Sequence, residues 1–95
     1  MECTEVLFSR HAMQRMYERG FDPHNIAFAI SAGEVIVSYP DDRPFPSVLL
    51  LGVVEATPVH VVVAKDGTTG DCYVVTVYVP DPLRWTEDFR IRRIR

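Results

Sequence analysis

Four segments rich in β-branched and aromatic residues follow one another in the later part of the chain, and only short stretches separate the last three. The segments span residues 35–39, 48–54, 59–64 and 73–79. Valine, isoleucine and aromatic side chains favour strands. A parallel pair of consecutive strands would need a crossover of about a dozen residues or more, which the separating stretches do not provide. The pattern therefore predicts an antiparallel meander of four strands.

Two helices are predicted before these strands. Ser9 precedes residues 10–19 and Gly20 follows them, so the first helix has an N-cap candidate at one end and a left-handed terminator at the other. Asp22 and Pro23 begin a second helix, with proline at its first position. A few residues join the two helices, which predicts an αα-hairpin whose apolar sides need cover. The expected fold is α+β, with two N-terminal helices packed on the four-stranded antiparallel meander sheet.

Length and composition fit one domain, residues 1–95. The chain is 47% hydrophobic and 24% charged, close to the soluble globular average, and each half would be too small for a core of its own. Apolar runs such as residues 48–51 are far shorter than the roughly 20 residues that span a bilayer. We expect no membrane partner, and an N-terminus with Glu2 and Glu5 predicts no signal peptide. The expected location is the cytoplasm.

Cysteine content and charge limit the chemistry further. Cys3 and Cys72 form no CxxC pair, and two reduced thiols are the expectation for a cytoplasmic protein. A formal net charge of −3 argues against coating nucleic acid by bulk electrostatics, so any such contact must be local. An arginine-rich tail is predicted to be an edge strand, an RNA contact or a frayed end. It contains Arg90, Arg92, Arg93 and Arg95.

The first helix carries basic residues at four-residue spacing. His11, Arg15 and Arg19 lie on one side of it, because residues one turn apart are neighbours on a helix. Arginine presents a planar donor fork to phosphate oxygens, and histidine exchanges protons near neutral pH. The stripe suits a phosphodiester, whereas the alternative is a solvated helix face on which Glu18 pairs with a guanidinium. The apolar side, expected to lie on the sheet, holds Met13, Met16 and Tyr17.

A histidine interrupts the third strand. His60 stands among valines, where its ring must find a hydrogen-bond partner or face a cleft. On the next strand Thr76 and Tyr78 share one face by the two-residue alternation of strands. If the hairpin register places them beside His60, the sheet presents an imidazole, a hydroxyl and a phenol together. The alternative is a core histidine with satisfied hydrogen bonds, and the register stays open by one residue.

Together these residues supply the parts for cleaving RNA without a metal or another cofactor. A base takes the 2′-hydroxyl proton, an acid protonates the leaving 5′-oxygen, and a cation stabilises the charge on phosphorus. We expect His11 and His60 to be the proton-transfer pair, in either order. The other expected roles are phosphate binding by Arg15, support by Arg19, and orientation of the reacting groups by Thr76 and Tyr78.

The order of these segments resembles domain-of-unknown-function family 4258. The resemblance rests on FSRHAMQRMYERGF at residues 8–21, VIVSYP at 35–40, PVHVVV at 58–63 and VTVYVPD at 75–81. That family looks like a branch of the RelE-like toxins in the barnase, EndoU and colicin nuclease group. The resemblance implies a ribonuclease, the toxin of a toxin–antitoxin or effector system, with a small antitoxin as partner. Its recurrent polar positions match His11, Arg15, Arg19, His60, Thr76 and Tyr78.

Two other functions remain open. The chain could be a non-catalytic toxin or binding module that inhibits a protein target through the same helical surface. It could also be an accessory domain whose sheet edge pairs with another chain. The oligomeric state stays open as well.

Overall fold

The helices begin and end where their capping residues predict. In the computed structural model, which describes residues 1–94, Ser9 Oγ accepts a hydrogen bond from the Ala12 N–H at 3.0 Å, and Gly20 closes the helix with φ 71°. Asp22 accepts from the His24 N–H at 2.7 Å at the start of the second helix. Arg95 lies outside the described residues. The elements are β1 Val6–Phe8, α1 Arg10–Arg19, α2 Pro23–Ala32, β2 Glu34–Tyr39, β3 Ser47–Val54, β4 Thr57–Lys65 and β5 Cys72–Tyr78.

The sheet has five strands in the order β1-β5-β4-β3-β2. The predicted antiparallel meander is confirmed for β2 to β5. The prediction of a four-stranded, purely antiparallel sheet is wrong, because β1 adds a fifth strand parallel to β5. The three residues of β1 are too few to show the alternation of a strand. Their partner β5 lies more than 60 residues away in the chain, so local patterns cannot reveal the pairing. The class is therefore α+β with a mixed sheet.

Both helices cover one face of the sheet. Their buried residues pack on alternate residues of the central strands, including Val59, Val61 and Val63. On α1 the buried stripe runs through Ala12 and Met16, one turn apart. The prediction that Met13 and Tyr17 also face the sheet is wrong, because their exposed fractions are 48% and 87%. Ala12, which is fully buried, packs on the sheet instead.

The register of β4 and β5 answers the question that the sequence left open. His60 lies opposite Tyr78, and Val62 lies opposite Thr76, with a bulge just beyond Val62. All four side chains therefore share the sheet face that the helices do not cover. Residues 80–94 return across part of this face, and within them Trp85 is buried. The helices found among residues 1–94 are too short to span a membrane.

A disulfide joins Cys3 to Cys72, with 5.6 Å between the Cα atoms. The expectation of two reduced thiols is therefore wrong. The parallel pairing of β1 with β5 brings the N-terminal segment beside Cys72, whose N–H donates to the Glu5 carbonyl at 2.8 Å. Spacing along the chain could not reveal this. Such bonds are typical of oxidising compartments, whereas the cytoplasmic location stays a prediction.

We expect reductant to lower the free energy of unfolding by about 2–4 kcal/mol, because the bond closes a long loop in the unfolded chain. Denaturant titration with and without reductant measures this difference. A Cys3→Ala variant should not respond to reductant. Two titratable thiols in the denatured, unreduced protein would contradict the bond.

Candidate functional site

His60 is fully buried, and both of its ring nitrogens have partners. Nδ1 lies 3.1 Å from the Tyr78 hydroxyl, and Nε2 lies 2.8 Å from the Phe89 carbonyl oxygen. The Trp85 ring meets the imidazole edge-on with 4.4 Å between centroids. His60 therefore matches the alternative stated from the sequence, a core histidine whose hydrogen bonds are satisfied.

The Phe89 carbonyl decides which nitrogen of His60 carries the proton. A carbonyl oxygen only accepts, so Nε2–H donates to it and Nδ1 accepts from the Tyr78 hydroxyl. Burial lowers the pKa of His60, although the Phe89 hydrogen bond partly opposes this, so the ring stays neutral. Burial also raises the pKa of Tyr78, so the phenol keeps its proton.

Burial and these two hydrogen bonds bear on the proton-transfer role predicted for His60. Even at ordinary pKa values, moving a proton from tyrosine to histidine costs about 5 kcal/mol. The lowered pKa of His60 and the raised pKa of Tyr78 both enlarge that cost. In this arrangement His60 reaches a ligand only through Tyr78, whose hydroxyl it orients. The geometry therefore favours an orienting role for His60 over the predicted proton transfer.

His11 is exposed in the first turn of α1, and its Nε2 lies 3.0 Å from the Thr76 hydroxyl oxygen. Ser9 brings the helix to this place. Its N–H donates to the Val74 carbonyl and its hydroxyl to the Val75 carbonyl, both at 3.0 Å. The start of α1 is therefore fixed against β5, where β1 no longer covers the strand.

Two hydrogen-bonded pairs thus stand side by side on β5. Thr76 and Tyr78 are two residues apart on one face, which separates their side chains by about 7 Å. The structure brings together four of the predicted residues in two pairs, His11 with Thr76 and His60 with Tyr78. Only His11 of the two histidines is open to solvent.

The other two predicted residues lie on the exposed surface of α1. Arg15 donates to Glu18 at 3.4 Å, and both side chains are about half exposed. An exposed pair of this kind contributes little to stability, so the guanidinium can exchange it for another anion. Arg19 lies one turn further along the helix and is also exposed. The alternative of a solvated face with Glu18 as partner fits this conformation.

Two pockets that share Val62 lie on the uncovered face of the sheet and together form a groove, one part of which is lined by Tyr78. One part has a volume of about 380 Å³ and the other about 460 Å³, and Val62 lies in the floor of both. We call this the sheet groove. Its aromatic and basic lining residues are Tyr39, Tyr78, Trp85, Arg90 and Arg92 in the first part and Arg43, Phe45 and Tyr73 in the second.

The charged side chains around the sheet groove differ in whether they already have a partner. Arg90 forms a bidentate contact with Glu34 at 2.8–3.1 Å, and its hydrogen bond lowers the pKa of that carboxyl. Arg92 lies close enough to Tyr78 to oppose, in small part, the rise in its pKa that burial causes. Asp42 adds one acidic group to the lining. Among residues 1–94, no three His, Cys, Asp or Glu side chains cluster as metal ligands would.

Sequence reasoning missed several of the groove residues. Arg92 belongs to the tail for which an RNA contact was one of three expectations. Tyr39 ends a predicted strand and Arg43 lies in a proline-rich loop, and neither position carried a signal. Their meeting depends on strand order and on the return of residues 80–94, which are long-range features.

We expect His60 to make stability depend on pH. Because its pKa is lower in the folded protein, the unfolded chain binds the proton more readily as pH falls. The stabilisation is fully present above the ordinary range of histidine and is lost as pH falls through the folded-state pKa. Melting temperatures between about pH 7.5 and about pH 5, above the carboxylate range, measure this.

The slope of the melting temperature against pH should be smaller in His60→Gln than in the original protein. His24→Gln is the matched control, because His24 is exposed, and it should keep the original slope. An equal slope in all three proteins would contradict the assignment.

Comparison with known proteins gives one match. The family model described as Domain of unknown function (DUF4258) matches residues 8–79, which contain both hydrogen-bonded pairs. No curated protein and no solved structure matches the chain. The match extends over well more than half of the 95 residues. The chain belongs to the DUF4258 family.

Proposed function

We propose that this protein is a metal-independent endoribonuclease, the RelE-like toxin of a toxin–antitoxin or effector system. One observation carries the proposal. An exposed imidazole, His11 of α1, is hydrogen-bonded to Thr76, which lies two residues from Tyr78 on β5, and Tyr78 lines a groove with aromatic and guanidinium groups.

The lining of the sheet groove suits single-stranded RNA. Proteins bind unpaired RNA by stacking bases on aromatic rings and by placing arginines along the backbone. Tyr39 and Tyr78 supply rings in the first part of the groove, and Arg92 supplies a guanidinium beside them. In the second part Phe45 and Tyr73 are already stacked, with 5.6 Å between centroids. Such a local cluster can bind RNA although the net charge is −3.

The chemistry needs no nucleophile from the protein. The RNA 2′-oxygen attacks phosphorus, the bond to the 5′-oxygen breaks, and a 2′,3′-cyclic phosphate forms. His11 receives the 2′-hydroxyl proton and can return a proton to the leaving 5′-oxygen. Arg15, released from its weak pair with Glu18, stabilises the charge on phosphorus, with Arg19 in support. Thr76 and Tyr78 orient the imidazole and the ribose.

Replacing His11 tests the mechanism. We expect His11→Gln to lower the rate of RNA cleavage at least 100-fold in excess chelator, which is the usual contribution of a general acid–base group. Cleavage of a labelled RNA, followed on a gel, measures the rate. His24→Gln, a matched change at an exposed histidine, should cleave at the original rate. Loss of cleavage on adding chelator to the unchanged protein would sink the mechanism.

The exposed apolar side of α1 favours a second function. Met13 and Tyr17 are one turn apart and largely exposed, so they form one apolar strip on the helix. Such a strip is typical of a protein-binding surface. It suits a non-catalytic toxin that inhibits a protein target, and it equally suits a small antitoxin bound to a ribonuclease.

Growth arrest on expression separates the two functions. For a ribonuclease, we expect arrest to disappear in His11→Gln and to persist in a Met13→Ser, Tyr17→Ser double variant. The opposite outcome would establish the protein-binding function, because only the apolar strip would then matter. Gln14→Ser on the same helix is the control. No arrest from any variant would favour an accessory domain.

A further inference from the structure

The hydroxyl of Tyr78 has a fixed polarity toward the sheet groove. A phenol has one proton to donate and lone pairs that accept. Its proton is directed to Nδ1 of His60 at 3.1 Å, because Nε2 is committed to the Phe89 carbonyl at 2.8 Å. What remains for a ligand are the lone pairs. A group bound at this hydroxyl must therefore donate a hydrogen bond.

The surroundings of His60 hold this polarity in place. The ring is fully buried beneath Trp85, so it has no water with which to exchange partners. Reversing the Tyr78 hydroxyl would require a proton on Nδ1. If Nε2 also kept its proton, the ring would carry a buried positive charge. If Nε2 lost its proton, its lone pair would face the Phe89 carbonyl oxygen and no hydrogen bond could form. Both alternatives are costly.

The position of Arg92 indicates which donor fits. Arg92 lines the same part of the sheet groove as Tyr78, where its guanidinium suits a backbone phosphate. In RNA the donor next to a backbone phosphate is the ribose 2′-hydroxyl, which DNA lacks. Building on the proposed function, we infer that Tyr78 accepts a hydrogen bond from the 2′-hydroxyl of a ribose other than the attacking one, and so selects RNA over DNA. His60 is the positioning residue that fixes this selectivity.

Three oligonucleotides with the same base test the inference. Oligouridylate RNA has the 2′-donor, its 2′-fluoro analogue offers only an acceptor there, and the deoxyuridine oligomer has neither. The base is the same in all three, so differences among them arise at the sugar. A net hydrogen bond of about 1 kcal/mol corresponds to about a fivefold preference for the RNA.

Binding is measured by fluorescence anisotropy in the full chain carrying His11→Gln, which prevents cleavage during the titration. We expect about a fivefold preference for RNA over the 2′-fluoro oligomer. Tyr78→Phe should bind the two alike. Tyr39→Phe is the matched control, because it removes a phenol oxygen from the same groove, and it should keep the preference.

The outcomes separate the inference from the function on which it rests. No binding of RNA would overturn both. RNA binding with no preference, or with a preference that survives Tyr78→Phe, would overturn the role of Tyr78 and leave the nuclease proposal standing. Nitrogen-15 NMR of the His60 ring gives an independent check. A protonated Nδ1 in the neutral ring would overturn the inference.

Discussion

The hydrogen bonds of His60 hold the uncovered side of this molecule together. A neutral imidazole buried in a valine strand costs about 1–3 kcal/mol for each nitrogen without a partner. β5 supplies one partner through Tyr78, and residues 80–94 supply the other through the Phe89 carbonyl. Phe89 has φ 61°, a conformation that costs a residue of this kind about 1 kcal/mol or more. The hydrogen bond to a buried ring offsets that cost. As a result the C-terminal segment stays on the sheet and forms one wall of the groove.

The opposite end of the site depends on the N-terminal segment. Ser9 caps α1 and also bonds to β5, so one residue sets both the start of the helix and its distance from the strand. The disulfide from Cys3 to Cys72 and the parallel pairing of β1 hold the preceding residues on the same strand. His11 therefore meets Thr76 through contacts that precede it in sequence. β5 is the common support of both hydrogen-bonded pairs.

The sequence could predict a feature only where residues close together in the chain determine it. Ser9, Gly20 and Asp22 act within one turn, so both helices could be read from them. The meander follows from short connections. The parallel strand β1 and the disulfide depend on residues more than 60 positions apart, and no local pattern contains them.

The candidate site follows the same rule. Thr76 and Tyr78 could be assigned to one face by alternation, but their pairing with His60 needed a register that the hairpin loop left open. The burial of His60 depends on Trp85 and Phe89, more than 20 residues later, so its environment could not be predicted. On α1 the four-residue spacing correctly placed His11 and Arg15 on one side. It could not show that Ala12, rather than Met13, completes the buried stripe.

The two histidines show how burial assigns different roles to the same side chain. His60 has both nitrogens occupied and a lowered pKa, so it is suited to orient a neighbour and unsuited to carry a charge. His11 has one hydrogen bond to a hydroxyl and is open to solvent, so a ligand can reach its ring directly. In the proposed mechanism, the exposed imidazole exchanges protons and the buried imidazole orients its neighbour. Because Thr76 and Tyr78 are two residues apart on one face of β5, a single strand supports both imidazoles.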